Sequence, residues 1–104
     1  MIHFRFMLEY LASPIFCDDI EEMGHVDIEE LAISEKLKKA IEKWNNEFQM
    51  TFDDDYPPDS GFTSREQLNR HIQRGKVLVE ELREELGAGY EILYVPINDK
   101  WLKC

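Results

Sequence analysis

Cysteine is scarce in this sequence, which limits the frameworks that the chain can build. Its 104 residues include two cysteines, Cys17 and Cys104, and three scattered histidines. The two cysteines do not form a C-x-x-C pair, and no histidine is spaced from them as in a zinc site. We therefore expect reduced thiols, as in the cytosol, and no disulfide framework or zinc site.

Long apolar runs are also missing. No stretch approaches the ~20 consecutive apolar residues that span a bilayer. The first residues, MIHFRFMLEY, alternate between apolar and polar side chains, whereas a signal peptide has a charged region followed by an apolar run. The sequence predicts a soluble, cytoplasmic protein with no membrane partner.

Motifs of common catalytic and cofactor sites are absent too. The sequence has no G-x-S-x-G elbow, no G-x-x-x-x-G-K-S/T loop and no G-x-G-x-x-G. His3, His25 and His71 fall on a predicted strand, loop and helix without a nucleophile motif. We expect no catalytic residues, no cofactor and no enzyme. A catalytic function would need a pocket that gathers dispersed residues such as His25, Cys17 and a carboxylate.

Basic residues are missing from two segments, and this focuses the negative charge. The formal net charge is -10. Residues 18–30 hold seven acids and residues 51–63 hold four, without any Lys or Arg. The rest of the chain has 11 acids against 12 bases. Focused negative charge repels nucleic acid and speeds encounter with a cationic partner, although solubility alone is the alternative explanation.

Periodic apolar patterns are abundant in the chain. Some of them have the two-residue period of β-strands. Residues 2–10 alternate strictly, which predicts a half-buried strand. Residues 15–17 predict a second, antiparallel strand, and residues 25–28 a weak third strand. Residues 90–95, YEILYV, carry apolar groups on both sides, which predicts a central strand. Trp101 and Leu102 are expected to pack on that strand or to leave Trp101 as a partner anchor.

Two amphipathic helices are predicted between these strands. Ser34 caps a helix over residues 35–49, and Ser64 with Gln67 forms a capping box for a helix that Gly87 ends. Gly75 lies within the apolar stripe of the second helix, which predicts close approach of a neighbouring element. The two stripes consist of Leu37, Ile41, Trp44 and Phe48, and of Leu68, Ile72, Gly75, Val79, Leu82 and Leu86.

These elements predict the fold class. The order is strand, strand, possible strand, helix, helix, strand, and both helix stripes need a common apolar surface. We expect one α+β domain over residues 1–104. It is a two-layer fold, in which an antiparallel or mixed sheet of three to four strands is covered on one face by the helical pair.

The connection between the helices, FDDDYPPDSGF at residues 52–62, combines acidic, aromatic and turn residues. An EF-hand loop begun at Asp53 would need glycine where Pro58 stands and glutamate where Ser64 stands, so that motif fails. We expect no metal site, although a weak Ca²⁺ site within this loop stays open. Prolines that stiffen an acidic loop with aromatic anchors favour protein binding, whereas a simple connection whose aromatic residues plug the core is the alternative.

The partner-binding residues predicted from both acidic segments follow from this hypothesis. They are Asp53, Asp54, Asp55, Tyr56 and Asp59 in the loop, with Asp18, Asp19, Glu21 and Glu22 in the first segment. If the two segments share one face, they mimic the negative surface of a nucleic acid. The hypothesis therefore depends on where the fold places them.

The segments FDDDYPPDSGFTSREQ and GKVLVEELREELGAGYEILY resemble the second half of small acidic bacterial proteins. The whole chain is similar in size and build to immunity proteins of secreted or contact-dependent toxins. That resemblance implies cytosolic neutralisation of a cognate toxin, often a cationic nuclease, by blocking its active site or substrate surface. It implies no catalytic residue.

The sequence therefore supports two possible functions. The first is an acidic immunity protein that binds a cationic toxin domain, as a monomer or homodimer. The second is a small cytosolic regulatory or adaptor protein that acts through protein contacts and dimerises by the exposed face of its sheet.

Overall fold

The computed structural model describes residues 1–19, 21, 23–52, 55 and 60–98. It contains a four-stranded mixed sheet and two helices, which confirms the α+β two-layer prediction. The strands are β1 (Ile2–Met7), β2 (Ile15–Cys17), β3 (Gly24–His25) and β4 (Tyr90–Val95). The helices are α1 (Glu35–Gln49) and α2 (Arg65–Leu86), and a single 3₁₀ turn spans Ile28–Glu30.

The sheet has the strand order β3-β2-β1-β4. β2 pairs with β1 in the antiparallel direction, as predicted, with Arg5 opposite Phe16. β4 pairs with β1 in the parallel direction, with Phe4 opposite Ile92. β3 adds two residues along the other side of β2.

The predicted central position of β4 is wrong, because β1 lies between β2 and β4 and leaves β4 at an edge. The apolar residues on the two sides of β4 have different explanations. Ile92 is buried against the helices, whereas Leu93 and Val95 are exposed on the uncovered face of the sheet. Apolar composition on both sides therefore does not distinguish a central strand from an edge strand with one uncovered face.

The predicted helix boundaries are confirmed, since local chemistry determines both. Ser34 accepts from the amide of Leu37, and Ser64 accepts from the amide of Gln67. Gly87 follows α2 at φ 82°, a left-handed conformation that glycine adopts without strain. The α1 stripe is fully buried, with Ile41 and Phe48 at zero exposure.

One continuous core fills the space between the helices and the inner face of the sheet. Trp44 of α1 stacks between Phe6 of β1 and His71 of α2, with both pairs of ring centroids 4.9 Å apart. Gly75 confirms the predicted close approach, because a Cβ there would stand 2.7 Å from a Trp44 ring carbon. Trp44 is therefore a core residue, as its place in the α1 stripe predicts.

Candidate functional site

The structure places four of the predicted partner-binding residues. Asp18 and Asp19 are half-buried, whereas Glu21 and Asp55 are exposed. The remaining five predicted residues lie outside the described residues; they are Asp53, Asp54, Tyr56, Asp59 and Glu22. The other possible Ca²⁺ ligands beside Asp55, and the tail with Trp101 and Leu102, also lie outside them.

Asp18 is held by an arginine of the neighbouring strand. The Nε of Arg5 donates to both carboxylate oxygens of Asp18, at 2.8 and 3.0 Å. The same guanidinium lies 4.7 Å from the ring centroid of Phe16, a cation–π contact. The negative charge of Asp18 is therefore largely balanced within the chain.

Asp19 is held in a similar way by the start of β1. It accepts from the backbone amide of His3 at 3.1 Å and lies 3.0 Å from the His3 Nδ1. The hydrogen bond from the His3 side chain, followed by the one from its backbone, lowers the pKa of Asp19 below its usual value. Asp18 and Asp19 thus join β1 to the end of β2, and we call Arg5, Phe16, Asp18, Asp19 and His3 the β1 start corner.

The two acidic segments begin at opposite ends of β1. The amide of Asp18 donates to the carbonyl of His3, at the start of the strand. Beyond its other end, the hydroxyls of Tyr10 and Thr51 lie 2.5 Å apart, and the amide of Gly61 donates to the Thr51 carbonyl. The five steps of ~3.3 Å from Ile2 to Met7 separate these ends by about 17 Å. Asp18 and the described flanks of the 52–62 loop therefore do not form one acidic patch.

The later part of the first acidic segment reaches the other end. Because β3 runs back along β2, the amide of Val26 bonds to the carbonyl of Ile15, and Asp27 follows it. A groove of about 670 Å³ lies here between the β1–β2 turn, the residues after β3 and the exposed side of α1. We call it the acidic groove; its polar lining consists of Ser13, His25, Asp27, Glu42, Asn45 and Gln49.

Charge is not balanced around the acidic groove. The hydrogen bond with the Glu42 carboxyl, more than desolvation, raises the pKa of Glu29 above its usual value. Lys38 lies near them, but its Nζ is 4.0 Å from the Glu29 carboxylate and 3.4 Å from that of Glu35. Asp27 and Glu42 line the groove, and no Lys or Arg occurs among the described residues of that lining.

The β1–β2 turn and α1 are joined at the rim of the groove. Gln49 donates to the carbonyl of Glu9 and accepts from the amide of Leu11, both at 2.8 Å. The Glu9 carboxylate lies 3.5 Å from the ring of His25 on β3. Three elements that are distant in sequence thus converge on one surface.

Sequence reasoning missed Glu9 and Glu42 as candidates. Glu42 lies on the polar side of α1, and Glu9 follows β1, so neither belongs to an acidic run. The fold places Glu42 in the lining of the groove and the Glu9 carboxylate beside His25 of the same lining, and no spacing within the sequence signals this placement.

A smaller pocket of about 370 Å³ lies beside the α1–α2 contact and includes Arg70, His71 and Arg74. Both arginines are already paired, Arg70 with Glu66 at 2.8 Å and Arg74 with Glu47 at 2.5 Å. Burial is the main cause that lowers the pKa of His71, so the imidazole is neutral near pH 7. This arrangement contributes to the packing of the helices.

A nucleophilic pair of Cys17 and His25 does not assemble. Cys17 is buried on the helix-covered face of the sheet. His25 stands opposite Phe16, and their rings are in edge contact at 5.1 Å on the uncovered face. Since successive residues of a strand point to opposite faces, these two side chains cannot act on one reacting atom.

Metal-ligating side chains do not cluster in the described part of the chain. Within residues 1–19, 21, 23–52, 55 and 60–98, no three His, Cys, Asp or Glu side chains are grouped to hold an ion. Neither helix that the structure describes has the length and apolarity of a bilayer-spanning segment.

Comparison with known proteins places this geometry in a family. No curated protein matches the sequence. The family model described as Serratia CdiI immunity protein-like matches residues 2–97 and confirms the resemblance to contact-dependent immunity proteins. Because the match covers every strand and both helices, the chain belongs to the Serratia CdiI immunity protein-like family.

Proposed function

We propose that this protein neutralises a cognate contact-dependent toxin by binding it in the cytoplasm. The family match over residues 2–97 is the observation that carries this proposal. Neutralisation by binding requires no catalytic residue, and a tight protein–protein contact is sufficient to cover an active site or substrate surface. The toxin domain would be cationic, and a nuclease fits because its nucleic-acid surface is basic.

The acidic groove is the proposed landing surface for this toxin. The net charge of -10 gives the chain a long-range attraction for a basic partner. Glu9, Asp27 and Glu42 surround the groove, and the described flanks of the 52–62 loop are anchored at the same end of β1. The loop residues Asp53, Asp54, Asp55, Tyr56 and Asp59 are proposed to extend this surface.

The other predicted residues have a smaller part in the proposal. Asp18 and Asp19 have internal partners, and displacing those partners would oppose any gain from a new contact. Glu21 is exposed, and Glu22 is named here only because it is close to them in sequence. These residues contribute to the overall field and form the margin of the binding surface.

Co-expression with the toxin domain encoded beside its gene tests the function. Growth should be rescued and the two proteins should copurify as a complex. Loss of both results would overturn the proposed function.

Charge reversal separates the groove from the overall field. Glu42 lies on the polar side of α1 and outside its buried stripe, so Glu42→Lys should leave the fold intact. We expect its association rate with the toxin domain to fall about tenfold at low salt. Asp54→Lys together with Asp55→Lys should have a similar effect. Glu84→Lys makes the same charge change on exposed α2 and is the matched control. Equal association rates for Glu42→Lys and Glu84→Lys would remove the groove from the proposal.

A further inference from the structure

β4 is an edge strand with a free side among the residues that the structure describes. Its six residues pair with β1 on one side and with no other described strand. An edge of this length presents a row of backbone groups that another strand can bond. Natural sheets usually blunt such edges with prolines, bulges or charges, whereas YEILYV has one charge and no proline.

The register determines which backbone groups of β4 face outward. The amide of Ile2 donates to the carbonyl of Gly89, and Ile2 stands opposite Tyr90. In a parallel ladder this alternation continues, so the amides of Leu93 and Val95 bond to β1. The amides of Ile92 and Tyr94 then point away from β1, toward the free edge.

Arg83 binds one of the backbone carbonyls that face outward from β4. Nε and Nη2 of Arg83 donate to the carbonyl of Ile92, at 3.1 and 2.6 Å. A groove of about 450 Å³ runs beside this contact and is lined by Tyr90 and Leu93 among others. Arg83 thus satisfies one carbonyl, and the structure gives no described partner to the amides of Ile92 and Tyr94.

The side chains beside the edge indicate what an added strand would carry. Leu93 is 59% exposed and Val95 is 38% exposed on the uncovered face. Glu91 lies on the same face. Apolar residues with a basic residue opposite Glu91 would complement this row.

A second copy of the chain fits the edge poorly. Each copy carries a net charge of -10, so two copies repel each other as they approach. The same charge favours a basic partner. In overall charge, the chain is therefore complementary to a basic toxin and not to a second copy of itself.

We propose that β4 receives an extended, basic strand of the toxin, which continues the sheet by backbone hydrogen bonds to Ile92 and Tyr94. This inference rests on the proposed function, because its occupant is the same toxin. Strand addition supplies affinity through the backbone and specificity through alternate side chains. The acidic groove would then steer the approach, and β4 would hold the bound toxin.

Amide hydrogen exchange, followed by NMR on the free protein and on its complex with the toxin domain, tests the proposal. In the free protein the amides of Leu93 and Val95 should be protected, and those of Ile92 and Tyr94 should exchange freely. On complex formation we expect the exchange of Ile92 and Tyr94 to slow at least tenfold. The alternation is specific to strand addition, because general shielding of the surface would also affect residues elsewhere.

Side-chain variants give a second test. Leu93→Lys should weaken the complex about fivefold, since it replaces an apolar cross-strand contact by repulsion of a basic strand. Val77→Lys is the matched control, because Val77 is equally exposed at 59% but lies on the outer side of α2. Equal affinities for the two variants would contradict the proposal.

The outcomes separate this inference from the proposed function. A complex that forms without added protection at Ile92 and Tyr94 overturns strand addition and leaves neutralisation intact. Failure to form any complex overturns both. Concentration-dependent protection of these amides in the protein alone would show that a second copy is the occupant, which also overturns the proposal.

Discussion

The contact between the helices and the sheet differs sharply from the β1 start corner, although both combine aromatic rings with polar bonds. In the contact, Trp44 stacks on Phe6 and His71, and its Nε1 donates to the His71 carbonyl at 2.9 Å. The His71 Nε2 donates in turn to the Trp44 carbonyl at 2.8 Å. In the corner, Arg5 joins Asp18 and Phe16 with similar distances.

Burial is what separates the two regions. Trp44 is 1% exposed and His71 is 3% exposed, so their hydrogen bonds have no competing water. Arg5 and Asp18 are about one-third exposed, and water can replace either partner. A buried polar group that loses its partner costs far more than a surface ion pair contributes. Substitutions in the contact should therefore affect stability most, and those in the corner least.

Gly75→Ala should produce the largest loss of stability. Its Cβ would clash with the Trp44 ring and with the Tyr94 hydroxyl, which donates to the Ile72 carbonyl at 3.0 Å. Overpacking of a close contact costs about 1–3 kcal/mol, more than the ~1 kcal/mol that alanine gains in helix propensity. We expect urea unfolding to give a net decrease of up to about 2 kcal/mol.

Tyr94→Phe in the Gly75→Ala background identifies the cause. It removes the hydroxyl that lies nearest the new methyl group. Partial recovery of stability is expected if the clash is responsible. A Gly75→Ala variant as stable as the parent would show that the helix contact has more freedom than the structure indicates.

The residues of this contact show how far sequence reasoning extends. The boundaries of α1 and α2 follow from local signals at Ser34, Ser64 and Gly87, and the place of Gly75 in an apolar stripe was sufficient to predict close packing. The partner of His71 was not predictable, because a histidine beside an apolar stripe does not reveal which carbonyl it bonds.

Strand predictions lost accuracy where pairing depends on distant residues. β1 was predicted over residues 2–10 but ends at Met7, whose amide donates to the carbonyl of Pro14. The chain then turns through Leu11 at φ 63°. The observed third strand, Gly24–His25, is shorter than the one predicted over residues 25–28. Asp27 accepts from the amide of Glu29 and starts a 3₁₀ turn there instead. Periodicity reports which side chains are apolar, but not where a neighbouring strand stops.

The candidate site was less predictable than the fold. The runs of acids in the sequence indicate Asp18 and Asp19, whose charges are balanced by Arg5 and His3. Glu42, which lines the acidic groove, lies outside those runs. Sequence gives the number of charges, whereas their compensation depends on three-dimensional neighbours.

His71 gives a pH dependence of intermediate size. In the folded protein, burial lowers the pKa of the His71 imidazole below its usual value of 6.5. Below about pH 6.5 the unfolded chain therefore binds more protons than the folded one, so stability should fall as the pH decreases. Above that pH His71 is neutral in both states and adds no slope. The slope for one group cannot exceed about 1.4 kcal/mol per pH unit.

The His71→Phe variant isolates the part of the pH dependence of stability that comes from His71. His71→Phe retains an aromatic ring against Trp44 but cannot be protonated. Urea unfolding between pH 5.5 and 7.5 should show a smaller decrease toward low pH for the variant than for the parent. Identical slopes would mean that His71 remains hydrated enough to be protonated in the folded state.

Asp18→Asn should have the smallest effect of the three. It removes the charge that Arg5 holds but keeps a polar side chain of similar size in the β1 start corner. A surface ion pair contributes about 0.2–1 kcal/mol, and this one should weaken further in salt because both groups are partly hydrated. Thermal unfolding at low and high salt measures the difference, which should shrink at high salt. A loss above about 2 kcal/mol, insensitive to salt, would place the corner with the buried contact. It would then show that exposure alone does not rank the polar interactions of this fold.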